Sequence, residues 1–271
     1  MEEDDKDIVV YSLTDIGRRR RNNEDSFLYI ELEGKGKSAA YLLAVADGMG
    51  GHAGGEVASR CMIKVLEKCV TSNPITDVLE LLRSAIKEAN RSIHEMSRKN
   101  SELLSMGTTC TAMLWTGGSA YIAHVGDSRA YLVRKGETRR LTKDHTVVEQ
   151  MVRSGIITPE EAGAHPERNM LIRAVGINPN VEVDLLPPIR TIPGDIFVLC
   201  SDGLTEFVRE DELGDIVTLH PPDEACHVLV SIANERGGTD NITVQIAKIL
   251  GKTKKASRIF ADLKNLFQWM G

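Results

Sequence analysis

The chain has 271 residues, 42% hydrophobic and 27% charged, which is enough apolar side chain for a full core in one large domain or two small ones. Its net charge of −6 runs against phosphate-driven binding of nucleic acid. No apolar run approaches the roughly 20 residues of a membrane span, and the acidic start Met1-Glu-Glu-Asp-Asp-Lys-Asp7 is the opposite of a signal peptide, so a cytoplasmic protein is expected.

β-Branched and aromatic content predicts strands over 8–13, 27–30 and 41–46. The basic run Arg18 to Arg21 and the acidic pair Glu24-Asp25 lie between the first two, and Asp47 closes the third before the glycine-rich segment 48–55. Val57, Cys61, Val65 and Leu66 predict a helix over 56–70; Leu79, Leu82, Ile86, Ala89 and Ile93 predict another over 78–96, with a break at Ser72-Asn-Pro74. Three runs, 108–115, 119–125 and 129–134, are joined by Thr116-Gly-Gly118 and Gly126-Asp-Ser128, connections short enough to predict an antiparallel meander. Residues 144–176 are mixed, with one helix expected to open at Asp144 as N-cap and a second at Thr158-Pro-Glu-Glu161. Strands near 195–201 and 243–249 then bracket a helix over about 222–235.

The acidic residues carry the chemistry. Glu24-Asp25, Asp47-Gly48, Asp127, Asp202-Gly203 and Asp240-Asn241 sit at predicted turns, and Asp47 and Asp202 each end a buried strand where it would surface into a glycine loop. Carboxylates gathered without compensation must hold protons or draw in a cation, and oxygen-only ligands favour hard ions such as magnesium or manganese. The five cysteines contain no C-x-x-C, which argues for a reducing compartment and against zinc. A rival reading takes Gly48-Met-Gly50-Gly-His-Ala53 as a dinucleotide fingerprint. It is disfavoured because Asp47 would stand beside a pyrophosphate and the chain continues into antiparallel strands where such a unit needs parallel ones.

Five segments, in order, resemble the signatures of the 2C-type metal-dependent protein serine/threonine phosphatases, in the spacing of their bacterial branch. They are Thr14 to Ser26, Val45 to Gly55, His124-Val-Gly-Asp127-Ser-Arg129, Leu199-Cys-Ser-Asp202-Gly-Leu204 and Gly237-Gly-Thr-Asp240-Asn241-Ile-Thr243. The resemblance spans roughly residues 8 to 249 and implies an α+β fold, an α-β-β-α sandwich of two antiparallel sheets with helices on both outer faces. A catalytic domain over 1–250 is expected, with a flap over about 146–176 and a separate tail over 251–271.

Carried over residue by residue, the resemblance implies that Asp47 bridges two Mn2+ or Mg2+ ions, that Asp202 and Asp240 complete the first, and that Glu24 with the Gly48 carbonyl serves the second. Asp127 with Asp202 is implied for a third, weaker ion, or else Asp127 caps its own turn. Asp25 and Asn241 would support the ligands from behind. Two ions lower the pKa of the water between them, so that phosphoserine or phosphothreonine is hydrolysed without a phosphoenzyme. Arg20 stands where the family's arginine grips phosphate, its planar fork suited to two phosphate oxygens, whereas its basic neighbours read as a solvated run. His52 takes a place from which it would either donate a proton to the leaving alcohol or hydrogen-bond a metal water; His124 and His145 read as structural.

Partners follow from the same resemblance: phosphorylated proteins, including a cognate serine/threonine kinase, acted on by a monomer. In the flap, Arg153, Arg168 and Arg173 are candidates to contact an acidic phosphopeptide or are ordinary exposed arginines. In the tail, Ile259, Phe260, Leu263, Leu266 and Phe267 form an apolar stripe among basic residues, which suits either a helix docked on the domain or one that meets a membrane surface or a partner. The alternative to an enzyme is a catalytically silent phosphoprotein-binding module of the same fold, disfavoured because such a scaffold has no physical need of clustered carboxylates.

Overall fold

The computed structural model of the chain describes residues 7–32, 39–50 and 54–251. Strands β1 (Ile8–Asp15), β2 (Asp25–Leu32) and β3 (Ala40–Met49) lead into the helices α1 (Gly54–Ser72) and α2 (Val78–Lys99). A short β4 (Gly107–Thr108) precedes β5 (Cys110–Thr116), β6 (Ser119–Val125), β7 (Arg129–Arg134) and β8 (Glu137–Arg140). Then come α3 (Val147–Arg153), α4 (Pro159–Ala164), the two-residue strands β9 (Asp184–Leu185) and β10 (Ile189–Arg190), and β11 (Ile196–Cys200). Helices α5 (Asp202–Thr205), α6 (Glu210–Leu219) and α7 (Pro222–Glu235) precede the last strand, β12 (Ile242–Ile249).

Among the described residues the strands form two antiparallel sheets. One has the order β1-β12-β11-β7-β8; the other has the order β10-β6-β5-β3-β2, with β4 added to β3 and β9 to β6. Side chains alternate between faces with period two. Leu42, Ala44 and Ala46 of β3 join Ala58, Met62, Leu66, Leu82, Ile86 and Ile93 in the core beneath α1 and α2. Tyr41, Leu43 and Val45 point the other way, against Leu132, Phe197, Leu199 and Ala247 of the facing sheet. The outer face of that sheet, through Val198, Cys200, Val244 and Ile246, is covered by α6 and α7 with Leu213, Val217, Cys226 and Leu229. The result is the expected sandwich with helices on both outer faces.

Three local expectations are corrected. Residues 108–134 are not one meander: β5 and β6 pair as a hairpin, but β7 pairs with β8 and β11 in the opposite sheet. The reason is Gly126, whose φ of +111 lies in the region that favours glycine and lets the chain step from one sheet to the other. Thr146, accepting from the Glu149 N–H, caps α3. Asp144 does not cap it because Arg129 holds its carboxylate through three N–H···O contacts of 2.6 to 3.0 Å. Finally, Asp47 and Gly48 lie inside β3, which runs on to Met49, and Asp202 opens the helix α5 behind the N-cap Ser201, so neither aspartate begins a glycine loop. The helix start at Thr158 with Pro159 first forms as read from sequence, and Thr158 and Glu161 also close a capping box there.

Candidate active site

The space between the sheets is apolar along most of its length and turns polar at one end, in unbroken register. In β3 the inward series Tyr41, Leu43, Val45 continues to Asp47; in β11 Phe197 and Leu199 continue to Ser201; in β12 Ile249 and Ala247 continue to Gln245 and Thr243. Asp25 of β2 lies directly across from Asp47. Its Oδ2 accepts hydrogen bonds from Ser201 Oγ at 2.8 Å and Thr243 Oγ1 at 2.6 Å, which fastens one sheet to the other immediately behind Asp202.

The loops at this end are stitched in the same way. Asn241 Oδ1 accepts the Glu24 N–H at 2.8 Å, while its Nδ2 donates to Ile16 O at 2.9 Å and Asn22 O at 3.0 Å, so the segment bearing Arg20 and Glu24 is held against Asp240. Two glycines make room: a Cβ at Gly48 would lie 2.1 Å from the Gly55 carbonyl, and one at Gly55 would lie 2.5 Å from Glu24 Oε2. Glu24 therefore rests against the first turn of α1, where a carboxylate is favoured.

These constraints bring Arg20, Glu24, Asp47, Gly48, Asp127, Asp202 and Asp240 around one cavity of about 220 Å3, together with Thr109, Asn169 and Leu171. Asp25 and Asn241 stand behind this lining. His52 lies outside the described residues, as does the tail from 252 onward. A second cavity of about 430 Å3 opens between α3, α4 and the core, sharing Asp127, Asn169 and Asp202 with the first. The three arginines of the segment expected as a flap divide: Arg173 is turned inward onto Asp184 at 2.5 Å, Arg168 pairs with Glu206 at 3.2 Å, and Arg153 is exposed.

The electrostatics show what the cavity lacks. Burial, reinforced by neighbouring carboxylates, pushes the Asp25 carboxyl up to about 7 and that of Asp202 to about 6, and raises Asp47 and Asp127 well above the usual range. Glu24 is raised by burial as well. The cation on this lining, Arg20, donates to Asp240 Oδ2 at 2.5 Å. Oδ1 of Asp25 and Oδ1 of Asp202 are buried with no hydrogen-bond partner. Oxygens so placed fit a divalent cation, which would take the charge that protons otherwise neutralise. Among the described residues no three acidic, histidine or cysteine side chains are drawn together as a formed coordination sphere, and Asp240 is engaged by Arg20.

Sequence reading named the acidic set with Asp25 and Asn241 behind it, but not Ser201, Thr243 or Thr109. Ser201 and Thr243 could have been found by extending the inward-facing series of β11 and β12 beyond its last apolar member. Thr109 belongs to the same group: its hydroxyl accepts the Asp47 N–H at 2.9 Å and meets Ser128 Oγ at 2.6 Å.

A two-sheet sandwich with an acidic cavity and an arginine at its polar end is the arrangement implied by the resemblance to the metal-dependent phosphatases, and comparison with known proteins agrees on the family. The family model described as protein phosphatase 2C matches residues 9–151. The chain is 40% identical over 238 residues to the serine/threonine protein phosphatase PstP of Mycobacterium tuberculosis, covering 88% of this chain and 44% of that one, so it spans less than half the length of this relative. It is 39% identical over 252 residues to the serine/threonine phosphatase stp of Listeria welshimeri, covering 90% of this chain and 98% of the relative. The crystal structure of M. tuberculosis PstP/Ppp superposes with a TM-score of 0.80 at 39% identity, over 90% of this chain and 99% of that one. The PstP catalytic domain in complex with two manganese ions gives 0.76 at 37% identity, over 90% and 98%. The chain belongs to the protein phosphatase 2C family.

Proposed function

We propose that this chain hydrolyses phosphoserine and phosphothreonine in phosphoproteins, using manganese or magnesium held at the inter-sheet cavity. The observation that carries the reading is the gathering of Glu24, Asp47, Asp127, Asp202 and Asp240 around one cavity with Arg20 at its rim. Asp47, Asp202 and Asp240 would hold one ion, Asp47 and Glu24 with the Gly48 carbonyl a second, and Asp127 with Asp202 a third. When bound, the ions supply activation of a water and neutralisation of charge on the phosphoryl oxygens.

The chain's own groups supply the rest. Arg20, with its side chain half exposed, offers a planar fork that can exchange Asp240 for two phosphate oxygens and orient the phosphoryl group. Asp25, fixed by Ser201 and Thr243, keeps Asp202 and the Asp240 loop in register. Among the described residues the cavity presents no thiol or free hydroxyl nucleophile, and its carboxylates are the groups that would hold the ions: Cys110 and Cys200 are buried with thiols pushed up to about 12, and the Thr109 hydroxyl is committed to Ser128 and the Asp47 N–H. The attacking oxygen is therefore that of water, whose bond to phosphorus forms as the ester bond breaks, releasing phosphate and the free hydroxyl residue.

Phosphorylated proteins, among them a cognate serine/threonine kinase, are the substrates of this reading. Every named residue comes from one chain, so a monomer suffices. Among the described residues no helix is long and apolar enough to cross a membrane. Phosphate release from a phosphothreonine peptide tests the reading. Release should need Mn2+, stop with EDTA, and fall on the order of 100-fold in Asp202→Asn. Metal binding without release would point to a silent phosphoprotein-binding module instead.

A further inference from the structure

His145 lies outside the cavity that holds Asp127, yet it encloses the residue before that aspartate. The His145 N–H donates to the Gly126 carbonyl at 2.8 Å, and the Gly126 N–H donates to His145 Nδ1 at 3.0 Å. Gly126 is the point at which the chain steps between sheets, and a Cβ there would lie 2.5 Å from Thr109 Cγ2, so this backbone unit has no slack on its other side. The imidazole is 5% exposed.

The ring is itself held. With Nδ1 accepting from Gly126, Nε2 carries the hydrogen and donates to Asp184 Oδ2 at 3.2 Å; Arg173 Nη1 lies 3.1 Å from the same ring nitrogen and donates to Asp184 Oδ1 at 2.5 Å. The His124 ring lies against it at a centroid distance of 4.8 Å. The main chain carries the connection onward. The His145 carbonyl accepts the Ile172 N–H at 2.8 Å, and the Val147 N–H donates to Met170 O at 2.9 Å, which brackets Leu171, a residue of the catalytic cavity.

We propose that His145, oriented by Asp184 and Arg173, is a positioning residue that sets Asp127 in the cavity and ties it to the flap segment 169–173. The inference rests on the placement of Asp127 in the active site. It predicts that ion binding at Asp127 and the placement of segment 169–173 beside the cavity are coupled, and it gives Arg173 an internal task where sequence left it either a substrate contact or an ordinary exposed arginine.

Four variants test it: His145→Asn, which keeps an acceptor near the place of Nδ1; His145→Gln, which does not; Asp127→Asn; and His145→Gln/Asp127→Asn. NMR-detected exchange of the Gly126 amide, Mn2+ titration and phosphopeptide hydrolysis are the readouts. His145→Gln should speed Gly126 exchange by about tenfold or more and raise the Mn2+ concentration for half-activity by about fivefold or more, with His145→Asn near wild type in both. In the Asp127→Asn background the His145→Gln change should alter kcat less than about twofold. Gly126 exchange equal in wild type, Asn and Gln variants, or a His145→Gln effect on kcat undiminished in the Asp127→Asn background, would overturn the proposal. Exchange needs no turnover, so a wild-type chain that releases no phosphate would sink the functional reading while leaving His145 judged on its own.

Discussion

Arg20 and Asp240 show how charge is balanced at the rim of the cavity. The guanidinium lines the cavity with five carboxylates, and it is spent on one of them at 2.5 Å. Arg20→Ala should lower kcat/KM for a phosphopeptide by about 10- to 100-fold, because a charge-assisted fork on phosphate contributes about 1.5 to 3 kcal/mol. The loss should fall mainly on KM, and Arg20→Lys should recover only part of it, since an ammonium has the charge without the fork; steady-state kinetics with KM unchanged in both variants would remove Arg20 from phosphate binding. Ser201 is a second residue-scale test. Ser201→Ala leaves buried Asp25 with Thr243 alone, and urea unfolding should show a loss of about 1 to 3 kcal/mol.

At the scale of elements, β3 carries the site because its inward register continues from Val45 to Asp47, and because Gly48 lets α1 approach its backbone. Gly48→Ala would press a Cβ onto the Gly55 carbonyl, a backbone atom with no side chain to yield. We expect it to destabilise by about 1 to 3 kcal/mol by urea unfolding, with loss of activity as Glu24 shifts; an unchanged midpoint would contradict the close approach. Much of this was legible in the sequence. The apolar run over 41–46 closed by Asp47, helical spacing in α1 and α2, and the proline at Pro159 all report local composition, periodicity or cap chemistry, which neighbouring residues determine. What was not legible depends on contacts distant in the chain. The step of β7 into the other sheet follows from Gly126, whose turn reads as a hairpin when its partners are unknown. Asp144 looks like a helix cap until Arg129, 15 positions earlier, is seen to occupy it. Arg173 looks like a free surface cation until Asp184 is folded beside it.

At the scale of the whole molecule, the buried ionisable groups set opposite limits on stability. The Asp25 and Asp202 carboxyls have folded pKa values of about 7 and about 6, raised from 3.8, so the stability they confer is full below about pH 4 and is lost as pH rises through 6 and 7. His124, lowered by burial from 6.5 to about 4, confers stability above about pH 6.5 that is lost as pH falls toward 4. Between pH 4 and 6 the two carboxyls outweigh the one histidine, so in EDTA the urea midpoint should fall as pH rises from about 4 through 7. The alkaline loss, a few kcal/mol at most, should disappear with Mn2+, which replaces the protons. A midpoint that stays flat to pH 8 in EDTA would mean that the carboxylates are not packed as described.

The claim on which the account turns is that the polar end of the inter-sheet space takes divalent cations through Asp47. Calorimetric titration of Mn2+ into wild type and Asp47→Asn at pH 6.5, repeated in two buffers of different ionisation enthalpy, addresses it directly. The account predicts at least two ions per wild-type chain with release of protons from the buried carboxyls, and loss of that binding in Asp47→Asn although the variant stays folded. Equal stoichiometry and affinity in the two proteins would contradict it.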